Sequence, residues 1–158
     1  ALARELPPAY ALRIAKKKAE KVSKQNQNSF VLAADTVVAC GRRIMPKAET
    51  EAEANSCLNL LSGRRHKVLG AIVIYSPNGT QIYRLVTSVV TFKKLNQEEI
   101  NFYLKTREWE GKAGGYAIQG LAATYIRALN GSYSNVVGLP LYETYQMLKG
   151  MGFNHKVI

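Results

Sequence analysis

At 158 residues, 47% of them hydrophobic, the chain has the size of one domain with a substantial core. Its net charge of +11, from 22 Lys and Arg against 11 acids, suits a phosphate-bearing partner: a nucleotide, a nucleic acid or an anionic membrane. No apolar run approaches the roughly 18 residues of a membrane span, so no membrane partner is expected. No signal peptide is legible.

The elements follow in order. Pro7-Pro8 opens a helix whose apolar face is Leu12, Ala15, Ala19 and Val22, with lysines mostly elsewhere. Phe30 to Ala39 reads as a buried strand, and Arg42 to Met45 as a short one after Gly41. Thr50 with Glu53 forms a capping box for a helix that Gly63 stops. His66 to Tyr75 and Gln81 to Phe92 are long strands joined by a Pro77-Asn78-Gly79 turn. Asn96 with Glu99 caps a helix over Ile100, Tyr103 and Leu104. Lys112 to Gln119 is a glycine-rich loop running into a strand, Ala123 to Leu129 is another strand, and Pro140 to Lys149 is a closing helix. The fold class expected is α/β, with a mixed, largely antiparallel twisted sheet, flanking helices and a nucleotide cleft.

Asp35 is the sole aspartate, and it sits inside an apolar strand. A carboxylate there is costly unless paired, hydrogen-bonded or bound to a cation, so it is either a functional group or a structural ion pair. Lys47, after Pro46, is either a phosphate-directed point charge or a solvated turn residue. Arg64 either grips phosphate or caps the preceding helix, and the Gly111–Gly120 stretch is either an anion cradle or a tight structural loop. Ser132 to Pro140 offers hydroxyls and an amide before a helix start, suited to an anion or to capping. Cys40 and Cys57 are too far apart for a Cys-x-x-Cys site and indicate a reducing compartment. Two histidines, His66 and His155, are too few for a His-rich centre, so any metal would be held by oxygen, which favours Mg²⁺ or Mn²⁺.

Together, Arg13–Ala19, Ala33–Val38, Leu61–Arg64, Lys112–Gly120 and Gly131–Pro140 occur in an order and spacing that resembles the Maf family of nucleoside triphosphate pyrophosphatases, also called septum-formation inhibitor proteins. The resemblance implies hydrolysis at the α-phosphorus to a nucleoside monophosphate and pyrophosphate, requiring Mg²⁺ or Mn²⁺, in a cytoplasmic protein linked to septum formation. It implies catalytic roles for Asp35 (also the metal ligand), Lys18, Lys47 and Gln119. Thr36, Arg64, Lys112, Ser134 and Asn135 are the substrate contacts it implies. The loop Gly114–Gly120 and the stretch Ser132–Leu141 look like the branch acting on dTTP and UTP rather than the branch preferring 7-methyl-GTP.

Lys47 departs from the common Gly-Lys-Pro setting, standing in Pro46-Lys47-Ala48. Family members also begin with a strand and a Ser-x-Ser-Pro-Arg-Arg loop, neither of which is found from Ala1 onward. The expectation is therefore a single Maf-like domain over residues 1–158, lacking that strand and phosphate-binding loop. A homodimer is a further expectation. The competing readings are a non-catalytic nucleotide- or nucleic-acid-binding regulator of division, and the related fold that hydrolyses inosine triphosphate. Nucleic acid is the less expected partner, because the nine tyrosines are scattered along the elements rather than interleaved with a basic face.

Overall fold

The computed structural model describes residues 1–154; His155 lies outside them. Helix α1 (Pro7–Gln25) starts with proline in its first turn, where the missing N–H is no loss. Its buried seam is Ala11, Ala15 and Ala19, all fully enclosed, while Val22 is exposed. The seam is thus rotated from the expected Leu12–Val22 face. Alanines spaced four apart let the helix approach the sheet more closely than leucine and valine would.

Strands β1 (Val31–Cys40), β2 (Arg43–Ile44), β3 (Arg65–Tyr75), β4 (Gln81–Phe92) and β5 (Ile126–Asn130) form one sheet in the order β2-β1-β3-β4-β5. Every pair in it is antiparallel. The largely antiparallel α/β architecture is therefore as expected. Helix α1 covers one face, packing on Val37, Ala39, Leu69, Ala71 and Val73. The opposite face carries the main core. Helices α2 (Glu51–Leu61) and α3 (Gln97–Thr106) bury Leu58, Leu61, Ile100 and Tyr103 against Val68, Val90 and Phe92.

Both capping boxes form. The Thr50 and Asn96 side chains accept from the amides of Glu53 and Glu99, and each glutamate answers the cap's own amide. The other end of the chain departs from expectation. Residues 112–119 do not run into a strand but enter a 3-10 helix, Leu121–Tyr125, and the last strand begins only at Ile126. The Glu108 carboxylate, 13 residues earlier in the chain, accepts the Leu121 amide at 2.7 Å, so that amide makes no ladder bond. A short helix, α4 (Tyr133–Val137), then precedes α5 (Leu141–Gly150), whose Met147 packs on Ile72 and Ile74. Among the described residues, no helix is long and apolar enough to cross a membrane.

Candidate active site

β1 pairs with β3 from Val31 to Ala39, but its other edge pairs with β2 only at Ala39 and Cys40. Either face of β1 is therefore reachable around that open edge. Successive side chains alternate between faces. Asp35 consequently lies on the α1 side with Val37 and Ala39, and Thr36 lies on the other side with Val38. A cleft of about 290 Å³ wraps this edge and is lined from both sides.

Asp35 is 9% exposed. Its Oδ1 accepts from Nζ of Lys18, which α1 supplies, at 2.5 Å. The structural alternative raised by the sequence, an ion pair, is thus present, with a lysine as partner. Half of the Lys18 side chain remains exposed, so the pair faces the cleft and is open to solvent. Thr36 Oγ1 donates to the Gly138 carbonyl at 3.2 Å, tying β1 to the end of α4.

Lys47 and Lys112 reach the same cleft from two backbone segments that are laced together. Lys47 bridges to Ala113, the Ala48 amide donates to the Lys112 carbonyl at 3.1 Å, and the Gly111 amide donates to the Ala48 carbonyl at 2.8 Å. The Gly114 amide donates to the Pro46 carbonyl at 3.0 Å. The unusual Pro46-Lys47-Ala48 setting is thus fixed by this ladder rather than by a turn of its own. Gly114 and Gly115, at φ +70° and +74°, occupy left-handed backbone. A Cβ on Gly114 would stand 2.9 Å from Val38 Cγ1, and one on Gly115 would stand 3.2 Å from Cys57 Cβ. Both glycines are needed for conformation and for space, which makes the loop a tight structural one that carries lysine and glutamine into the cleft.

Gln119 lines the cleft at the end of this loop. Two anchors that the sequence did not single out hold it. Glu108, by gripping the Leu121 amide, fixes the residues just after it, and a Cβ on Gly120 would meet Glu108 Oε2 at 2.1 Å. On the other side Tyr116 runs inward, its hydroxyl 2.6 Å from His66 Nε2, with Phe92 packed edge-on against both rings. Burial pushes the His66 pKa down to about 4 and raises that of the Tyr116 hydroxyl, so at neutral pH the contact joins two uncharged groups. No signal in the sequence marks Glu108, which stands two residues from Glu110 in an ordinary charged turn, whereas His66 is marked as the lone histidine of an apolar strand.

Three expected substrate contacts do not line the cleft. Arg64 is exposed at the turn after α2, on the approach to β3. Ser134 Oγ accepts the Leu141 amide at 3.0 Å and bonds Ser132 Oγ, capping the start of α5. Asn135 is fully buried, and its Nδ2 faces the Val68 and Val86 carbonyls and Ser88 Oγ at 3.0–3.2 Å. Its Oδ1 sits where a Cβ on Gly70 would fall, 1.9 Å away. Asn135 therefore pins α4 to β3 and β4. Its neighbours Val136 and Val137 are the ones that line the cleft, with Ala34, Val38, Val68 and Ile118 on the apolar side.

Asp35 is the only carboxylate lining the cleft, and no group of three or more His, Cys, Asp or Glu suited to a metal occurs among the described residues. This donor set does not fit an all-protein cage. It does fit a hard cation held by one carboxylate and shared with substrate phosphates, the usual mode for Mg²⁺.

The family model described as Maf-like protein matches residues 2–151. The chain is 59% identical to a dTTP/UTP pyrophosphatase of Paramagnetospirillum magneticum, over 94% of this chain and 78% of that protein. It is 56% identical to a dTTP/UTP pyrophosphatase of Rhodospirillum rubrum, over 94% of this chain and 71% of the relative. A nucleoside triphosphate pyrophosphatase of Ehrlichia canis is 51% identical, over 93% and 77% respectively. With a single cleft gathering Lys18, Asp35, Lys47 and Gln119, and with matches of this extent, the chain belongs to the Maf family.

Proposed function

We propose that this protein hydrolyses nucleoside triphosphates, dTTP and UTP foremost, to the nucleoside monophosphate and pyrophosphate, in the cytoplasm. The observation that carries the reading is the convergence of three lysines, Lys18, Lys47 and Lys112, on a cleft whose only carboxylate is Asp35. A triphosphate brings about four negative charges, and a partly enclosed cationic rim is where they are best matched. The names of the relatives, dTTP/UTP pyrophosphatase among them, support the substrate class.

In this mechanism the lysines grip the triphosphate as point charges, and the apolar wall of Val38, Val68, Ile118 and Val136 receives the base and sugar. Asp35 orients the attacking water and takes its proton as the new oxygen–phosphorus bond forms at the α-phosphorus. The bond to the bridging oxygen breaks, and pyrophosphate leaves with the electron pair, its charge met by the lysines. Gln119 positions the α-phosphate through its amide. Mg²⁺ or Mn²⁺, bound by Asp35 with phosphate oxygens, would neutralise charge on the triphosphate and lower the pKa of water. Lys18, already on Asp35, holds the carboxylate in place before substrate arrives.

The test is a pyrophosphate-release screen over the canonical triphosphates with Mn²⁺ or Mg²⁺. The expected result is turnover of dTTP and UTP well above that of ATP and GTP. Binding of dTTP without any pyrophosphate release would leave a nucleotide-binding regulator instead and sink the enzymatic reading.

A further inference from the structure

Gln119 is exposed in the cleft, and its side chain makes no hydrogen bond among the described residues. The backbone on either side is therefore what aims it. Before it, Tyr116 and Ile118 are buried. After it, the Gly120 amide donates to the Ala117 carbonyl at 3.2 Å, and the Leu121 amide donates to Glu108 Oε2 at 2.7 Å. The first bond stays within the loop, whereas the second ties the loop to a different part of the chain. Gly120 is adapted to that tie. Its backbone, at φ −115°, is open to any residue, yet a Cβ there would stand 2.1 Å from the same Oε2. A glycine directly after Gln119 is needed for space, so that a carboxylate can press against the chain.

Glu108 stands in a turn that keeps its shape without the carboxylate. Arg107, at φ +61°, ends α3 in left-handed backbone. The buried Trp109 ring donates its indole N–H to the Leu104 carbonyl at 2.8 Å. The Glu110 amide donates to the Arg107 carbonyl and the Lys112 amide to the Trp109 carbonyl, both at 3.1 Å. The same turn runs on into Gly111 and Lys112, which the ladder fixes to Lys47 and Ala48. One turn thus serves three groups of the cleft. It carries Lys112 and braces Lys47 through backbone bonds, and it reaches the Gln119 segment through the Glu108 side chain. Glu108 itself is half-buried and does not line the cleft.

We propose that Glu108 is a positioning residue of the reaction, setting Gln119 in register with Lys47 and Lys112 while touching no substrate itself. The role rests on the reaction proposed above, in which the lysines grip the triphosphate and Gln119 acts at the α-phosphate. Loss of the carboxylate leaves the backbone bonds behind Lys47 and Lys112 in place, so the grip on the triphosphate survives. It frees the segment after Gln119, so the amide drifts from the α-phosphate. A misplacement of about 1 Å at such a group costs up to about a hundredfold in rate. Glu108 therefore acts on the chemical step more than on binding, the reverse of a lysine on the phosphate rim.

Steady-state pyrophosphate release from dTTP, paired with amide hydrogen exchange at Leu121, is the test. Glu108→Ala is expected to lower kcat by about tenfold to a hundredfold and to change KM by less than about threefold. Glu108→Gln keeps an acceptor for the Leu121 amide without the charge, and its kcat is expected to stay within about threefold of wild type. In the Gln119→Ala background, Glu108→Ala is expected to cost less than about twofold more, because the group it positions is gone. Exchange at Leu121 should quicken in Glu108→Ala and stay slow in Glu108→Gln. Losses that multiply in the double variant overturn the role, since Glu108 then acts independently of Gln119. Glu108→Gln as impaired as Glu108→Ala with Leu121 still protected overturns it too, since the charge is then what matters. A wild-type chain that releases no pyrophosphate overturns the reaction and the positioning role together, and faster exchange at Leu121 in Glu108→Ala then marks a structural tie alone.

Discussion

Replacing Asn135 by alanine separates a structural pin from a substrate contact. Asn135 is fully enclosed, and its amide serves three acceptors, the Val68 and Val86 carbonyls and Ser88 Oγ. The variant leaves those acceptors without this donor and opens a small cavity. Each buried acceptor that loses its partner costs about 1–3 kcal/mol, less where a ladder bond or water takes over. Ser88 Oγ keeps its own bonds to Ser132, so the loss there is partial. Removing Oδ1, which is buried without a hydrogen-bond partner, offsets part of the loss. A net loss of about 3 kcal/mol is expected, which in a domain of this size lowers Tm by roughly 6–12 °C. Urea and thermal denaturation read the loss, and the KM for dTTP serves as the control. A variant that unfolds with the parent while its KM rises tenfold would refute the pin and make Asn135 a substrate contact, as the family resemblance implied.

Gly70→Ala puts a methyl group onto Asn135 Oδ1 and should destabilise by about 1–3 kcal/mol in urea unfolding; in the Asn135→Ala background most of that loss should vanish. His66 gives a pH signature. Its folded pKa, lowered to about 4 by burial, lies below the unfolded value of 6.5, so the unfolded chain binds more protons between them. The stability it supports is complete above pH 6.5 and falls as pH drops towards 4, by up to about 3 kcal/mol. Urea unfolding at pH 7 and pH 5 should show this drop, and His66→Gln should flatten it. Lys47→Ala should lower kcat/KM for dTTP by about tenfold to a hundredfold, mainly through KM, with no change in Tm. An unchanged KM would remove Lys47 from the phosphate rim.

Much of this was readable from local chemistry. The two capping boxes, the proline start of α1 and the Pro-Asn-Gly turn are signals held within a few residues, and each element formed where they stood. The 3-10 helix at Leu121 was not readable, because Ala-Thr-Tyr-Ile has strand character and the group that bends it, Glu108, is 13 residues away. Helix α4 has five residues and no periodicity to detect. The site divides in the same way. Asp35 stood out as a carboxylate in an apolar strand, whereas its Lys18 partner, the ladder that aims Lys47 and the open β1 edge exist only once the sheet is assembled. Asn135 and Ser134 looked available because small polar residues before a helix suit either an anion or a cap, and here the cap and the pin prevailed.

The most direct test compares pyrophosphate release from dTTP by the wild-type chain and by Asp35→Asn, at saturating Mn²⁺. Lys18 is half exposed and can be resolvated, so loss of its partner should change stability by no more than about 1 kcal/mol. Release should nonetheless fall by about two to four orders of magnitude, as befits removal of the group that takes the proton from water. An Asp35→Asn variant with the same Tm and undiminished release would contradict the account, leaving Asp35 as nothing more than the anchor for Lys18.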